Sequence, residues 1–425
     1  MEIQYGVKYL GREAFGYTSL AKIDLPESVI EAGSYCFSNC GSIREVNIKG
    51  KNTVLNTNSF RNISNIDKFN FVTGGNLKWS DDKHTVICNN VVANEKNKKD
   101  CIIVYIDSSI KNSKKYEIPN EVTWFDYGIT GEDLKLSDKL RYVNPDNMNY
   151  ISNIEVSSQN KNFKIINGIL FYSDDEFKED YNVNYYLWNK EITTIDIPSI
   201  IVDNGQTKKI NRLMKCSLKD YNLSRINQIT INSKSIDECI AWEPIAKNMI
   251  IGENVSNIEP LFVGWNMDKK FNIQTATNGK FYSENGILYE KKYNEYRVLR
   301  EYNNDNINNG IITISKTINN LPVTSIGGEA FYNITKATEI ILPSGLKNID
   351  SYDNGIMMVG AFYNCSDLKE ITIPAGVTSI GENCFRGCGN LDKINMSITK
   401  RQATKKGLTG EPWGATKGNR VINWK

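Results

Sequence analysis

The sequence holds one histidine, His84, in 425 residues. A single imidazole excludes His-clustered metal sites and leaves at most one base for a Ser-His or Cys-His pair. A charge excess of either sign is also missing: 51 basic and 49 acidic side chains leave +2 at neutral pH. That balance argues against a dedicated nucleic-acid binder. The short basic groups Lys111, Lys114, Lys115 and Lys400, Arg401, Lys405, Lys406 read as solvated surface. No apolar run approaches twenty residues, so no membrane insertion is expected. No secretory leader is visible at Met1-Glu2-Ile3-Gln4. This leaves two expectations open: a chain that is intracellular when made, or a leader or upstream domain outside this sequence. Phosphate-binding Gly-x-x-x-x-Gly-Lys-Ser/Thr loops and Gly-x-Ser-x-Gly elbows are missing as well. Nine cysteines, an odd number in a long chain, imply no disulfide framework.

What the chain has in abundance is repetition. Val377-Thr-Ser-Ile380-Gly381 leads to Cys384-Phe385, Cys388, Leu391, Ile394 and Met396. The same order runs through Ala361-Phe362, Cys365, Leu368, Ile371, Ile373 and Pro374. It appears again in Val323, Ile326-Gly327, Ala330-Phe331, Ile340, Leu342 and Pro343. Near the start, Phe15, Phe37 and Phe60 anchor three further copies at steps of 22 and 23 residues. Between Phe331 and Phe362 the step lengthens to 31, with an insertion at Ser351-Tyr-Asp-Asn-Gly-Ile356.

Each position has a physical reading. Ile371-Thr-Ile373 and Ile23-Asp-Leu25 alternate as short strands with one buried face. The proline that follows ends the ladder where no N–H is needed. Glycine suits a tight turn, and Ala-Phe reads as a short helical turn that plugs an aromatic ring into the core. One unit cannot bury both of its faces, so stacked units form a continuous core.

This pattern resembles the BspA-type leucine-rich repeats, over residues 7–71 and 321–396. The resemblance implies a right-handed repeat solenoid, mostly β with short helical turns, interrupted by β-hairpin or meander insertions. Cys36 and Cys384 then fall where Ala14, Ala330 and Ala361 stand, and Cys40, Cys365 and Cys388 three residues after the anchor. They read as small buried thiols, not as metal or redox pairs.

The middle of the chain is worn. Asn167-Gly168 and Asn285-Gly286 each sit between apolar runs and predict type I′ hairpins. Asn89-Asn90 is a weaker third copy. Ile102–Tyr105, Tyr185–Trp188 and Tyr296–Leu299 supply a third strand to each. Ile154-Glu-Val156 and Ile229-Thr-Ile231 look like worn repeat strands, and Ile251–Phe262 like a shortened repeat. The expected layout is N-terminal repeats over 1–73 and degenerate repeats over 74–320, with meanders near 76–118, 161–198 and 278–315. C-terminal repeats over 321–397 and a closing segment over 398–425 follow. There, Pro412-Trp413-Gly414 suits a turn, and Val421–Trp424 an added strand on the last repeat.

No catalytic, metal or cofactor residues are assigned. His84 reads as a turn residue, and the acidic run Asp174-Asp175-Glu176 as solvated charge. A pair of carboxylates from such a run would be the minimum for a glycan-active hydrolase. The binding candidates are the outward strand positions Lys22, Asp24, Glu45, Asn47, Lys68, Asn70, Glu339, Glu370, Thr372, Lys393 and Asn395. With them come the hairpin tyrosines Tyr181, Tyr185, Tyr289, Tyr293 and Tyr296, since tyrosine gives contact area at low entropic cost. The resemblance implies adhesion to a protein or glycan receptor at a bacterial surface. The alternative expectation is a receptor-binding or structural component of a phage tail or tail-like bacteriocin, with tail or baseplate partners.

Overall fold

The computed structural model describes residues 3–63, 66–93, 99–111, 114–129, 133–144, 151, 153–173, 181–186, 193–213, 226–236, 246–259, 272–303, 307, 309–353, 355, 357–408, 413–415 and 421–425. The chain forms two compact units, Met1–Lys190 and Glu191–Lys425. Among the described residues the regular structure of both is almost wholly short strands.

In the first unit, Lys22–Leu25, Glu45–Ile48 and Lys68–Phe71 form a parallel sheet. Register places Val46 between Ile23 and Phe69, and Ile48 between Leu25 and Phe71. A second parallel sheet holds Tyr9–Leu10, Glu31–Ala32 and Val54–Leu55. Parallel pairing follows from the repeat: each strand returns in the same direction one coil later. Ile23, Leu25, Val46 and Ile48 point into the core between the sheets and are buried. Each such side chain contributes about 1.5–3 kcal/mol of hydrophobic stabilisation.

The Ala-Phe segment takes a tighter form than a helical turn. Glu13 and Tyr17, Tyr35 and Asn39, and Asn58 and Asn62 all have positive φ. A left-handed residue cannot continue a right-handed helix. Two successive tight turns result, with the amides of Ala14 and Gly16 donating to the carbonyls of Gly11 and Glu13. The amides between them reach across the stack. Glu13, Phe15 and Tyr17 donate to Ser34, Cys36 and Ser38; Tyr35, Phe37 and Asn39 donate to Thr57, Ser59 and Arg61. The turns therefore form a ladder of their own, which satisfies buried backbone donors. Inside it the anchor rings stack, Phe15 on Phe37 at 5.6 Å and Phe37 on Phe60 at 5.4 Å.

The repeat glycine serves close approach and not a left-handed turn. A Cβ on Gly33 would stand 2.9 Å from the Arg12 nitrogen, and one on Gly381 would stand 2.6 Å from the Ser351 nitrogen. Successive coils touch there through bare backbone.

The first meander runs Leu77–Trp79, Thr85–Val92 and Lys99–Ile106, antiparallel throughout. Its first turn lies at residues 80–84. Asn90, with φ of 62°, falls instead at a register shift between Cys88 and Val91. The Asn89-Asn90 pair is thus a bulge inside a strand, not the expected hairpin turn. Parallel pairing then resumes through Trp124–Phe125 and Tyr142–Val143. Lys115–Glu117, Asp133–Leu136 and Asn153–Val156 form another parallel sheet. The unit's last meander is Phe163–Ile166, Ile169–Tyr172 and Tyr181–Tyr186. Asn167 and Gly168 have φ of 51° and 74°, as a type I′ turn demands. Trp188 lies outside the described residues.

The second unit opens on the parallel strands Thr194–Ile197, Ile226–Ile231, Ala246–Ile251 and Asn272–Thr275. A hairpin, Ile200–Asp203 with Gln206–Leu213, turns at Asn204-Gly205. The expected shortened repeat is described as far as Glu259; Pro260–Phe262 lie outside the described residues. The meander Phe281–Glu284, Ile287–Lys292 and Glu295–Glu301 turns at Asn285-Gly286, again with both φ positive. The closing repeats align Ile311–Thr313, Glu339–Ile341, Glu370–Ile373, Lys393–Met396 and Val421–Trp424. Phe331, Phe362 and Phe385 stack at 5.3 and 5.6 Å. The insertion after Phe331 is a small hairpin of Ser351–Asp353 and Met358–Gly360.

An added strand lies at the end of this stack. Val421–Trp424 pairs in parallel with Lys393–Met396, and Trp413, 3% exposed, accepts the Phe385 amide at 3.0 Å. Pro412 lies outside the described residues. Lys400–Lys405, in the expected closing segment, is one short helix. A capping box between Thr399 and Gln402 holds its start, and Ala403 is buried beneath it.

Candidate recognition surface

The outward strand positions stand in rows because the parallel register repeats coil by coil. In the first unit Lys22, Glu45 and Lys68 form one row, and Asp24, Asn47 and Asn70 the next. In the second unit Glu370 and Lys393 share a row, as do Thr372, Asn395 and Asn423, and Glu339 stands beside Glu370. All are exposed or half-buried.

These side chains hold one another in place. The Asn70 amide donates to Asn47 Oδ1 at 2.7 Å, and Asn47 donates to Asp24 Oδ1 at 2.7 Å. Asn423 donates to Asn395 at 2.7 Å and Asn395 to Glu370 at 2.5 Å. Lys22 Nζ lies 3.0 Å from Glu45. The hydrogen bond from Asn47, then that from Lys22, lowers the Glu45 carboxyl below its ordinary value. The Glu45 hydrogen bond in turn raises the Lys22 ammonium. An exposed pair of this kind contributes little stability. Its consequence is order: charges of both signs are fixed on a flat strip.

Sequence reasoning missed two rows on a separate parallel sheet of the first unit. Lys115, Asp133 and Asn153 form a row in the first unit, beside Glu117, Lys135 and Glu155. Lys135 and Glu117 are paired at 2.6 Å. The prolines and polar residues around these strands hid their alternation, although Ile118-Pro119 repeats the strand-ending signal. The expected basic cluster is thus divided: Lys115 stands in one of these rows, and the Lys111 side chain lies outside the described residues.

The tyrosines do not form a surface. Tyr289 is wholly buried and Tyr296 is 4% exposed, both within the core of the second unit. The inward face of the meander packs on the repeats, and these two rings lie on that face. Burial pushes the Tyr289 hydroxyl up to about 12, and its oxygen accepts the Ser315 amide at 3.4 Å. Tyr181 is buried in the first unit. The Tyr185 side chain lies outside the described residues. Among the described side chains of this group only Tyr293, at a hairpin tip, is open to solvent at 96%.

His84 is exposed in its turn, with Nδ1 3.5 Å from the Ser109 hydroxyl. Asp174-Asp175-Glu176 lie outside the described residues. Among the described residues no cluster of three His, Cys, Asp or Glu side chains is placed to hold a metal ion. No helix among them is long and apolar enough to cross a membrane.

Cys36, Cys40, Cys88, Cys101, Cys365, Cys384 and Cys388 are buried free thiols. Burial raises Cys36, Cys88 and Cys101 to about 12. Such thiols carry almost no thiolate at neutral pH, which suits packing and not nucleophilic or metal chemistry.

Comparison with known proteins agrees with this geometry. A model of the BspA-type leucine-rich repeat region matches six copies, over residues 1–82 and 302–405. No curated protein matches the chain. Among solved structures it is similar to a leucine-rich repeat protein from Eubacterium ventriosum, at 16% identity and a TM-score of 0.40. That similarity covers 94% of this chain and 83% of the other. A leucine-rich cell surface protein from Faecalibacterium prausnitzii matches at 15% identity and a TM-score of 0.30, covering 97% and 87%. The pneumococcal vaccine antigen PcpA matches at 13% and 0.37, covering 76% and 82%. Residues 1–82 and 302–405 of this protein are BspA-type leucine-rich repeats, stacked as a β-rich solenoid.

Proposed function

We propose that this protein is a non-catalytic recognition and adhesion protein that acts at a cell surface. Its stacked strands present the polar strip to a protein or glycan on a target cell. The observation that carries this reading is the row structure of Lys22, Glu45 and Lys68 beside Asp24, Asn47 and Asn70. Side chains already fixed by one another lose little entropy on binding, so contacts to them are retained as affinity. Mixed signs suit a polar protein or glycan surface better than a polyanion.

The test is binding of fluorescent protein to a panel of epithelial and bacterial cells. Changing Lys22, Glu45, Lys68, Glu370 and Lys393 together to alanine should lower binding at least about tenfold, the loss of a few polar contacts. The melting temperature should stay near that of the parent, because the changes are exposed. Undiminished binding by the variant would sink the proposal.

A further inference from the structure

One strand of the second unit combines a sheet edge with an apolar outer face. Ile200–Asp203 pairs antiparallel with Gln206–Leu213 and, among the described residues, with no other strand. Its outward side chains are Ile200, 51% exposed, and Val202, 66% exposed. Ile201 between them is buried and anchors the hairpin. Such an edge offers unpaired N–H and C=O groups beside β-branched side chains, a template for an added strand. The usual guards against pairing are missing from Ile200–Asp203: it has no proline, no lysine and no bulge in its register.

We propose that this edge pairs with the same edge of a second copy of the chain. The strand is complementary to itself. Antiparallel pairing centred on Ile201 sets Ile200 of each copy opposite Val202 of the other, on the outward face. A shift by one residue would set outward side chains against inward ones, so the register is defined. Both copies use the same patch, and the contact therefore closes as a two-fold dimer. The four outward side chains then form one apolar cluster across the two middle strands. Residues 200–213 carry Lys208, Lys209 and Arg212 against Asp203, three positive charges and one negative, so two hairpins repel weakly until salt screens them. A four-residue edge buries far less than the roughly 1,200 Å² of a stable interface, so the dimer should dissociate between roughly 10 µM and 1 mM.

The test is sedimentation equilibrium of the intact chain from about 5 to about 500 µM, a range that brackets the expected dissociation constant. It should show monomer and dimer in exchange, with nothing larger, and association should tighten from about 50 to about 500 mM salt. Ile200→Asp and Val202→Lys each put a charge into the cluster and should weaken association at least about tenfold. Both positions are more than half exposed, so the melting temperature should stay near that of the parent. Carried together, the two changes set a carboxylate against an ammonium twice across the pairing, and association should return. A chain that stays monomeric at every concentration would overturn the proposal, as would single variants that associate like the parent. Association that weakens with salt, or that grows beyond the dimer, would equally overturn it, since neither fits two like-charged edges that close on each other.

Discussion

The Cys365 thiol donates to the main-chain carbonyl of Phe331 at 3.0 Å, one coil back along the stack. Cys388 does the same to Phe362, and Cys40 to Phe15, each at 3.0 Å. In these three copies a cysteine three residues after the anchor ties its turn to the one before it. The contact needs a small donor that tolerates burial, which a thiol is.

Thiol labelling checks this arrangement. The seven cysteines among the described residues are buried, and burial raises Cys36, Cys88 and Cys101 to about 12. Native protein at pH 8 should therefore react rapidly with Ellman's reagent at none of these seven, and so at no more than two thiols per chain. All nine should react in guanidinium. Rapid reaction of three or more native thiols would contradict the buried register.

The left-handed turn residues make a second prediction. Asn39 has φ of 59°, a conformation asparagine tolerates and β-branched residues do not. Asn39→Val should lower the free energy of unfolding by about 1–2 kcal/mol. Asn39→Gly should stay within about 0.5 kcal/mol of the parent, because glycine adopts the same φ freely. Urea titration of the two variants distinguishes them, and equal stability would show that the turn does not constrain this position.

Glu301 gives the stability a pH dependence. Desolvation raises its carboxyl to about 7, with the Asn303 amide and the Arg300 guanidinium opposing the shift. The folded value lies above the ordinary 4.5, so the unfolded chain releases this proton first. Stability is then unaffected by this group below pH 4.5 and falls as pH rises from 4.5 to 7. The shift corresponds to about 3 kcal/mol. Asp100, raised by its own burial, acts in the same direction. Thermal melts across that range should show the decline, and Glu301→Gln should flatten it in part. An unchanged slope would mean that Glu301 is not the titrating group.

The fold was legible where the repeat is regular. Phe15, Phe37 and Phe60 at near-constant spacing required stacked coils, and Asn167-Gly168 and Asn285-Gly286 required hairpins. Asn89-Asn90 misled because asparagine at positive φ serves a bulge as well as a turn. The helix at Lys400–Lys405 went unseen, since six residues carry no readable period and only the Thr399–Gln402 capping box marks it. The outward rows could be read from alternation, but Tyr289 and Tyr296 could not be oriented that way. Strand alternation names two faces without saying which one packs on the repeats.

Carboxyl footprinting tests the recognition surface most directly. Protein bound to cells that capture it, and free protein, would each be modified with a carbodiimide and glycine ethyl ester, then mapped by mass spectrometry. The account predicts that Glu45, Glu339 and Glu370 lose labelling on binding, while exposed carboxylates away from the rows, such as Glu13 and Asp81, keep theirs. Protection of Glu13 or Asp81 with Glu45, Glu339 and Glu370 labelled as in the free protein would contradict it.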